Sequence, residues 1–166
     1  MPASQPPESP EEARSRIAGR ISQIVQDRGL TVAVAESLTG GMIAQALAVS
    51  GGASSWFRGS LVAYSSDVKH DVLDVPPGPV VSAEAAGVMA RNVRKLLGAD
   101  IAVAATGAGG PGPQDGREAG TVFLAVAGED VHRVLRLELD SDDPSVVCAT
   151  TAEEALQMLL DDLQGT

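Results

Sequence analysis

The chain has 166 residues, 44% of them hydrophobic and only 2% aromatic, with 12 basic and 22 acidic residues for a net charge of −10. That length suits one domain burying roughly 70% of its unfolded surface, with Ala, Val and Leu filling the core. The charge argues against a broad grip on the phosphate backbone of nucleic acid, which needs clustered Lys and Arg. No apolar run approaches the ~20 residues of a membrane span, and no signal-peptide pattern opens the sequence. The single cysteine, Cys148, has no partner for an intramolecular disulfide, which fits a reducing cytoplasm.

In chain order, residues 1–8 lack apolar periodicity and read as a disordered tail. Ser9-Pro10-Glu11-Glu12 then reads as a helix start, with Ser9 as N-cap and Glu12 closing a capping box. Ile17, Ile21, Ile24 and Val25 carry the helical period to a stop at Gly29. A strand over 31–35 precedes a helix over about 40–48, a loop at 49–52 and a second strand over 57–64. A short helix covers 66–73, broken by Val75-Pro76-Pro77-Gly78-Pro79. Ser82 caps the next helix, which runs to Leu97 and ends at Gly98. A buried-type strand spans 100–105 and a glycine-rich loop spans 106–120. Strands over 121–127 and 131–139 form a hairpin around Gly128-Glu129-Asp130, and Asp143-Pro144 opens a last helix ending near Leu163. The order αβαβααβββα predicts a single-domain α/β fold, a three-layer α/β/α sandwich around a mixed β-sheet.

Three polar clusters fall where apolar runs end, and the carboxyl ends of strands are where α/β sheets bind ligands. In Ala35-Glu36-Ser37-Leu38-Thr39-Gly40-Gly41, the glycines allow a strand to turn sharply into a helix. Ser37 then reads either as a nucleophile served by helix-start N–H groups or, with Thr39, as a plain helix cap. Tyr64-Ser65-Ser66-Asp67-Val68-Lys69 supplies the second cluster. Neither His70 nor His132 comes with a triad pattern, which argues against Ser-His-Asp chemistry, and a lysine can serve Ser37 as base if burial or a neighbouring positive group lowers its pKa enough to leave it neutral. Val68, Val72 and Leu73 could surround Lys69 and Tyr64 could hydrogen-bond it; the plainer reading is a solvated lysine.

The third cluster, Thr106-Gly107-Ala108-Gly109-Gly110-Pro111-Gly112-Pro113, contains G-x-G-x-x-G after a strand. Pro111, Pro113 and Gly116 forbid the helix that a dinucleotide fingerprint requires. It reads as a pocket wall with Thr106 pointing a hydroxyl inward, or as a plain loop. No metal-ligand spacing is present, since His70 with Asp67, Asp71 or Asp74 matches none. Trp56-Phe57 reads as core or as a stacking surface for an aromatic ligand.

Together these stretches closely resemble the C-terminal domain of the competence/damage-inducible protein CinA, a family that also occurs as stand-alone nicotinamide-nucleotide amidases. The resemblance extends to Gly52-Ala53-Ser54-Ser55-Trp56-Phe57-Arg58-Gly59, Val62-Ala63, Val81-Ser82-Ala83-Glu84 and Gly120-Thr121-Val122, over about residues 12–163. The chain looks like the stand-alone form. The resemblance implies hydrolysis of the carboxamide of nicotinamide mononucleotide to nicotinate mononucleotide and ammonia, without metal or cofactor. It implies Ser37 as nucleophile, Lys69 as general base, Tyr64 assisting the lysine and Thr106 near the reacting centre. Thr39, Gly40, Gly41, Gly107 and Gly109 become candidate substrate contacts, and Arg58 or Arg117 candidate cations for the phosphate.

Two departures from the family pattern stand out. Gly109 replaces the alanine of Thr-Gly-x-Ala-Gly-Pro, and Leu139 to Cys148 contains no basic residue where the family carries Gly-Asp-Arg. The alternative readings are a nucleotide-binding domain with weak or no catalysis, and an interaction module in competence or DNA damage. The expected partner is a small nucleotide, with neither nucleic acid nor membrane; the sequence leaves oligomeric state open, and enzymes of this size often form homodimers.

Overall fold

The computed structural model describes residues 6–165. Its elements are α1 (Pro10–Arg28), β1 (Val32–Glu36), α2 (Met42–Ala48), α3 (Ala53–Trp56), β2 (Phe57–Val62), α4 (Ser66–Leu73), α5 (Ala83–Leu97), β3 (Ile101–Gly107), β4 (Thr121–Ala127), β5 (His132–Glu138) and α6 (Pro144–Gly165). The five strands form one sheet in the order β2-β1-β3-β4-β5. β1 runs parallel to both β2 and β3, while β4 and β5 are antiparallel additions. The fold is therefore the mixed-sheet α/β/α sandwich that the element order predicts.

Local chemistry accounts for the helix ends. Ser9 and Glu12 form the reciprocal capping box at the start of α1, with Pro10 at the first helical position, and Gly29 closes the helix in the left-handed region. Ser82 caps α5 through the Ala85 N–H, and Gly98 ends it in the same left-handed geometry. Of the expected tail, residues 1–5 lie outside the described residues. Glu8 is not free: its carboxylate pairs with Arg16 at 2.9 Å.

Alternation in the central strands divides the core in two. Val32, Val34, Val103, Val122, Leu124 and Val126 pack toward α1, α2 and α6. Ala33, Ala35, Ala102, Ala104, Ala125 and Ala127 point the other way, onto Ala86, Met89, Ala90 and Val93 of α5. Because side chains alternate faces along a strand, one sheet carries a bulky face and an alanine face. The alanine face lets α5 lie close, which explains how a core so poor in aromatics still packs.

Four local readings need correction. The expected strand over 57–64 stops at Val62, and the four-residue α3 adds an element that the sequence order lacks. Trp56 is 2% exposed and its indole N–H donates to the Gly51 carbonyl at 3.1 Å, so it is core and not a stacking surface. Val72 is 45% exposed and gives Lys69 no apolar cover. Among the described residues no helix is long and apolar enough to cross a membrane.

The alanine face carries a test. Ala104 is fully buried, so Ala104→Leu overpacks the sheet against α5 and is expected to cost about 1–3 kcal/mol in urea denaturation.

Candidate functional site

The register of the parallel strands sets the site. Glu36 at the end of β1 pairs with Val62 of β2 on one side and Ala105 of β3 on the other. Ser37, Ala63 and Thr106 are therefore level, one residue beyond. The Ser37 N–H donates to the Ala105 carbonyl at 3.1 Å, holding the chain in line with the sheet before it turns.

The turn depends on Glu36, which is fully buried. One carboxylate oxygen accepts from the Thr39 hydroxyl at 2.8 Å and the Ile43 N–H at 2.9 Å. The other accepts from the Ala44 N–H at 3.0 Å and the Ser60 hydroxyl at 3.3 Å. A carboxylate at a helix start satisfies orphan N–H groups and the positive end of the helix dipole. The N-cap position itself is Gly41, at φ 106°, preceded by Gly40 at φ 58°. Both angles favour glycine.

Two expectations change as a result. Neither Ser37 nor Thr39 caps α2, because Glu36 does. The N–H groups of Ile43 and Ala44 are also unavailable to a ligand. Gly41 apart, the N–H groups of this turn that have no acceptor among the described residues are those of Leu38 and Thr39. These directly follow Ser37, and Ser37 and Leu38 both line the cleft described next.

A cleft of about 360 Å³ opens at this end of the sheet. Ser37, Leu38 and Tyr64 form one side, Gly107 to Gln114 another, and Pro144 and Cys148 of α6 a third. Gly107 lets the wall approach β4, since a Cβ there would come 2.8 Å from a Val122 methyl and 2.9 Å from the Thr121 carbonyl oxygen. Cys148 donates its thiol to the Leu38 carbonyl at 2.9 Å, joining α6 to the residue after Ser37. Burial raises the Cys148 pKa, keeping it a neutral thiol.

Lys69 is 1% exposed, on α4. Its Nζ donates to the main-chain carbonyl of Tyr64 at 3.1 Å, and no carboxylate lies within ion-pair distance among the described residues. Burial lowers its pKa below the usual lysine value; the Asp115 carboxylate acts in the opposite direction. The sequence reading of a solvated lysine is therefore set aside. Tyr64 meets the lysine through its backbone, while its side chain is 70% exposed at the cleft.

The remaining candidates divide. Gly109 lines the cleft with Gly107, whereas Thr39, Gly40 and Gly41 build the turn behind it. Thr106 lies beneath the surface, and its hydroxyl donates to the Val80 carbonyl at 2.8 Å instead of pointing into the cleft. Arg58 is not brought to the site. It sits in a bulge at the opposite end of the sheet, opposite Val32 and Ala33, with Nε donating to the Leu97 carbonyl at 2.8 Å. Arg117 lies over the Phe123 ring, 5.7 Å from its centroid. No cationic side chain lines the cleft among the described residues, and no cluster of metal-ligating side chains is present among them.

Comparison with known proteins gives the family of the chain. Residues 14–163 match the model of the CinA C-terminal domain. The chain belongs to that family. A CinA-like protein of Geobacter sp. (strain M21) is 39% identical over 157 residues, covering 90% of this chain and 38% of the relative. A competence-damage inducible protein of Shouchella clausii, so named provisionally, is 48% identical over 107 residues, 61% of this chain and 26% of the relative. This chain thus spans well under half the length of these curated relatives. A crystal structure of a CinA superfamily protein from Klebsiella pneumoniae superposes with a TM-score of 0.86 at 29% identity, covering 92% of this chain and 99% of that one. The competence/damage inducible protein CihA from Agrobacterium tumefaciens gives 0.85 at 31% identity, covering 92% and 96%.

Sequence reasoning missed three contributors: the Glu36 cap, the Cys148 contact and Asp115. Glu36 left a signal, a carboxylate closing an apolar strand just before a helix start. The other two depend on contacts between distant segments.

Glu36→Gln replaces an anion serving four donors with a neutral amide, and charge-assisted bonds are about twice as strong as neutral ones. A loss of about 2 kcal/mol is expected in denaturant unfolding. Lys69 makes a second test possible through its titration. With the native pKa lowered, the unfolded chain binds the proton more readily, so stability is reduced below the native pKa and recovers as pH rises toward the usual ~10.4. Lys69→Met removes that dependence. Its stability relative to the parent should therefore be less favourable at pH 10 than at pH 7 in matched denaturation curves.

Proposed function

We propose that this CinA-family domain is a serine–lysine amidase that hydrolyses the carboxamide of nicotinamide mononucleotide. The observation carrying this reading is the buried Lys69 without an ion-pair partner, held beside the strand ends that present Ser37. Burial lowers the Lys69 pKa, so it gives up a proton more readily than an exposed lysine, and once neutral it keeps an N–H for Tyr64 and a lone pair to accept a proton.

The chemistry follows in two halves. Ser37 Oγ attacks the amide carbon as its proton passes to Lys69, and the negative charge forming on the amide oxygen is met by the N–H of Leu38, which follows Ser37 at the cleft. Lys69 then returns the proton to the departing nitrogen. The C–N bond breaks, ammonia leaves, and an ester to Ser37 remains. Water attacks that ester with Lys69 again as base, giving the carboxylate and restoring the serine hydroxyl. Ser37 and Lys69 are the catalytic residues; Thr106 contributes by holding the Val80 segment.

The cation-free lining favours a second reading, a nucleotide-binding domain with little turnover. A missing charge-assisted contact to phosphate costs about 1.5–3 kcal/mol, roughly tenfold to a hundredfold in affinity. Asp143 adds to this, since its side chain accepts from the Ser145 N–H at 2.9 Å and puts an anion at the start of α6.

Ammonia release from nicotinamide mononucleotide separates the two readings. On the amidase reading the parent turns over, and Ser37→Ala and Lys69→Ala each lose at least about a hundredfold in kcat while keeping the parent's circular dichroism. Its kcat/KM rises with pH through an apparent pKa below that of an ordinary lysine. Thermal stabilisation by the nucleotide without ammonia release would instead establish the binding domain.

A further inference from the structure

Asp115 lies in the glycine-rich loop, in the left-handed region at φ 51°. One oxygen of its carboxylate accepts two backbone hydrogen bonds, from Val80 N–H at 2.8 Å and Val81 N–H at 3.0 Å. The Thr106 hydroxyl binds the Val80 carbonyl from the other side. The two-residue segment before α5 is thus fastened at both polar groups of Val80, once from β3 and once from the loop. The adjoining loop residues Pro113 and Gln114 line the cleft, and a short bridge between Gln114 and Arg117 closes the turn around Asp115.

The same carboxylate has a second relation to the site. Its own helix carries Asp67, His70 and Asp71 beside Lys69, while Glu36 closes β1, Glu84 lies in the first turn of α5, and Asp115 and Arg117 belong to the loop. Glu36 is engaged by its four donors, His70 Nδ1 lies 2.8 Å from the Val75 carbonyl, and Arg117 lies over Phe123. Asp115 is the charge that acts on Lys69, opposing the effect of burial.

Building on the amidase reading, we infer that Asp115 is a positioning residue: its carboxylate latches the glycine-rich wall to the Val80–Val81 segment and offers Lys69 a counter-charge. The latch shapes the cleft, and the charge restrains the lysine from losing its proton too readily. An exposed carboxylate is screened by salt, so the charge effect weakens as ionic strength rises while the latch does not.

Two substitutions separate the roles. Asp115→Asn keeps a carbonyl oxygen for both N–H groups, and asparagine tolerates the left-handed backbone. It should leave amide exchange at Val80 and Val81 slow and move the acid limb of kcat/KM to lower pH, because the ammonium loses its counter-charge. Asp115→Ala removes both functions. It should speed exchange at those two amides and raise KM roughly tenfold. An acid limb for Asp115→Asn that coincides with the parent's, or unchanged exchange at Val80 and Val81 in Asp115→Ala, would overturn the inference. If the parent releases no ammonia, the amidase reading fails separately. Amide exchange and a titration of Lys69 Nζ by nuclear magnetic resonance, parent against Asp115→Asn, then still decide the role of Asp115.

Discussion

One buried carboxylate organises the end of the sheet where the cleft opens. Glu36 gathers Thr39, Ile43, Ala44 and Ser60 around two oxygens, with no water-exposed surface of its own. A buried anion is tolerated only when so fully hydrogen-bonded. The bonds to the first turn of α2 close the helix onto the strand that precedes it, and the bond to Ser60 ties in β2. The chain has little freedom left between β1 and α2, and Ser37 stands in that short interval. Glycines at 40 and 41 are the conformational consequence: no other residue type reverses so sharply within two positions at comparable cost.

A complementary tension surrounds Lys69. The fold places a lysine in the interior and gives its Nζ, among the described residues, one carbonyl oxygen as hydrogen-bond partner. Such a site costs stability that an apolar residue would not, and functional positions are where folds retain such costs. The lysine and Glu36 lie at neighbouring strand ends but receive opposite treatment. The acid is surrounded by donors and serves architecture; the base is underprovided and is left with chemical capacity.

How much of this could be read from the residues depended on the range of the contacts. The capping box of Ser9 and Glu12, the glycine stops at 29 and 98, and the α4 span of Ser66–Leu73 are local signals, and each appears as expected. The apolar run over 100–105 reads as a buried strand, and β3 is buried throughout. Boundaries slipped where tertiary pairing decides them: β1 runs one residue further than 31–35, which brings Glu36 into the sheet, and β2 ends two residues early. The clusters around Ser37, Lys69 and Gly107 were legible because strand ends and glycines mark them. What could not be read was which atom of each residue would be used. Tyr64 offers Lys69 its carbonyl, Thr106 turns its hydroxyl away, and Arg58 lands at the far end of its strand.

The contact between Cys148 and Leu38 joins residues 110 positions apart in sequence. β1, β2 and α4 are complete in the nascent chain long before α6 exists, and domains fold as units during synthesis. The first half of the chain can therefore carry its serine and its lysine without carrying a cleft. Until the ribosome has passed residue 148, the cleft has no third wall and no enclosed volume.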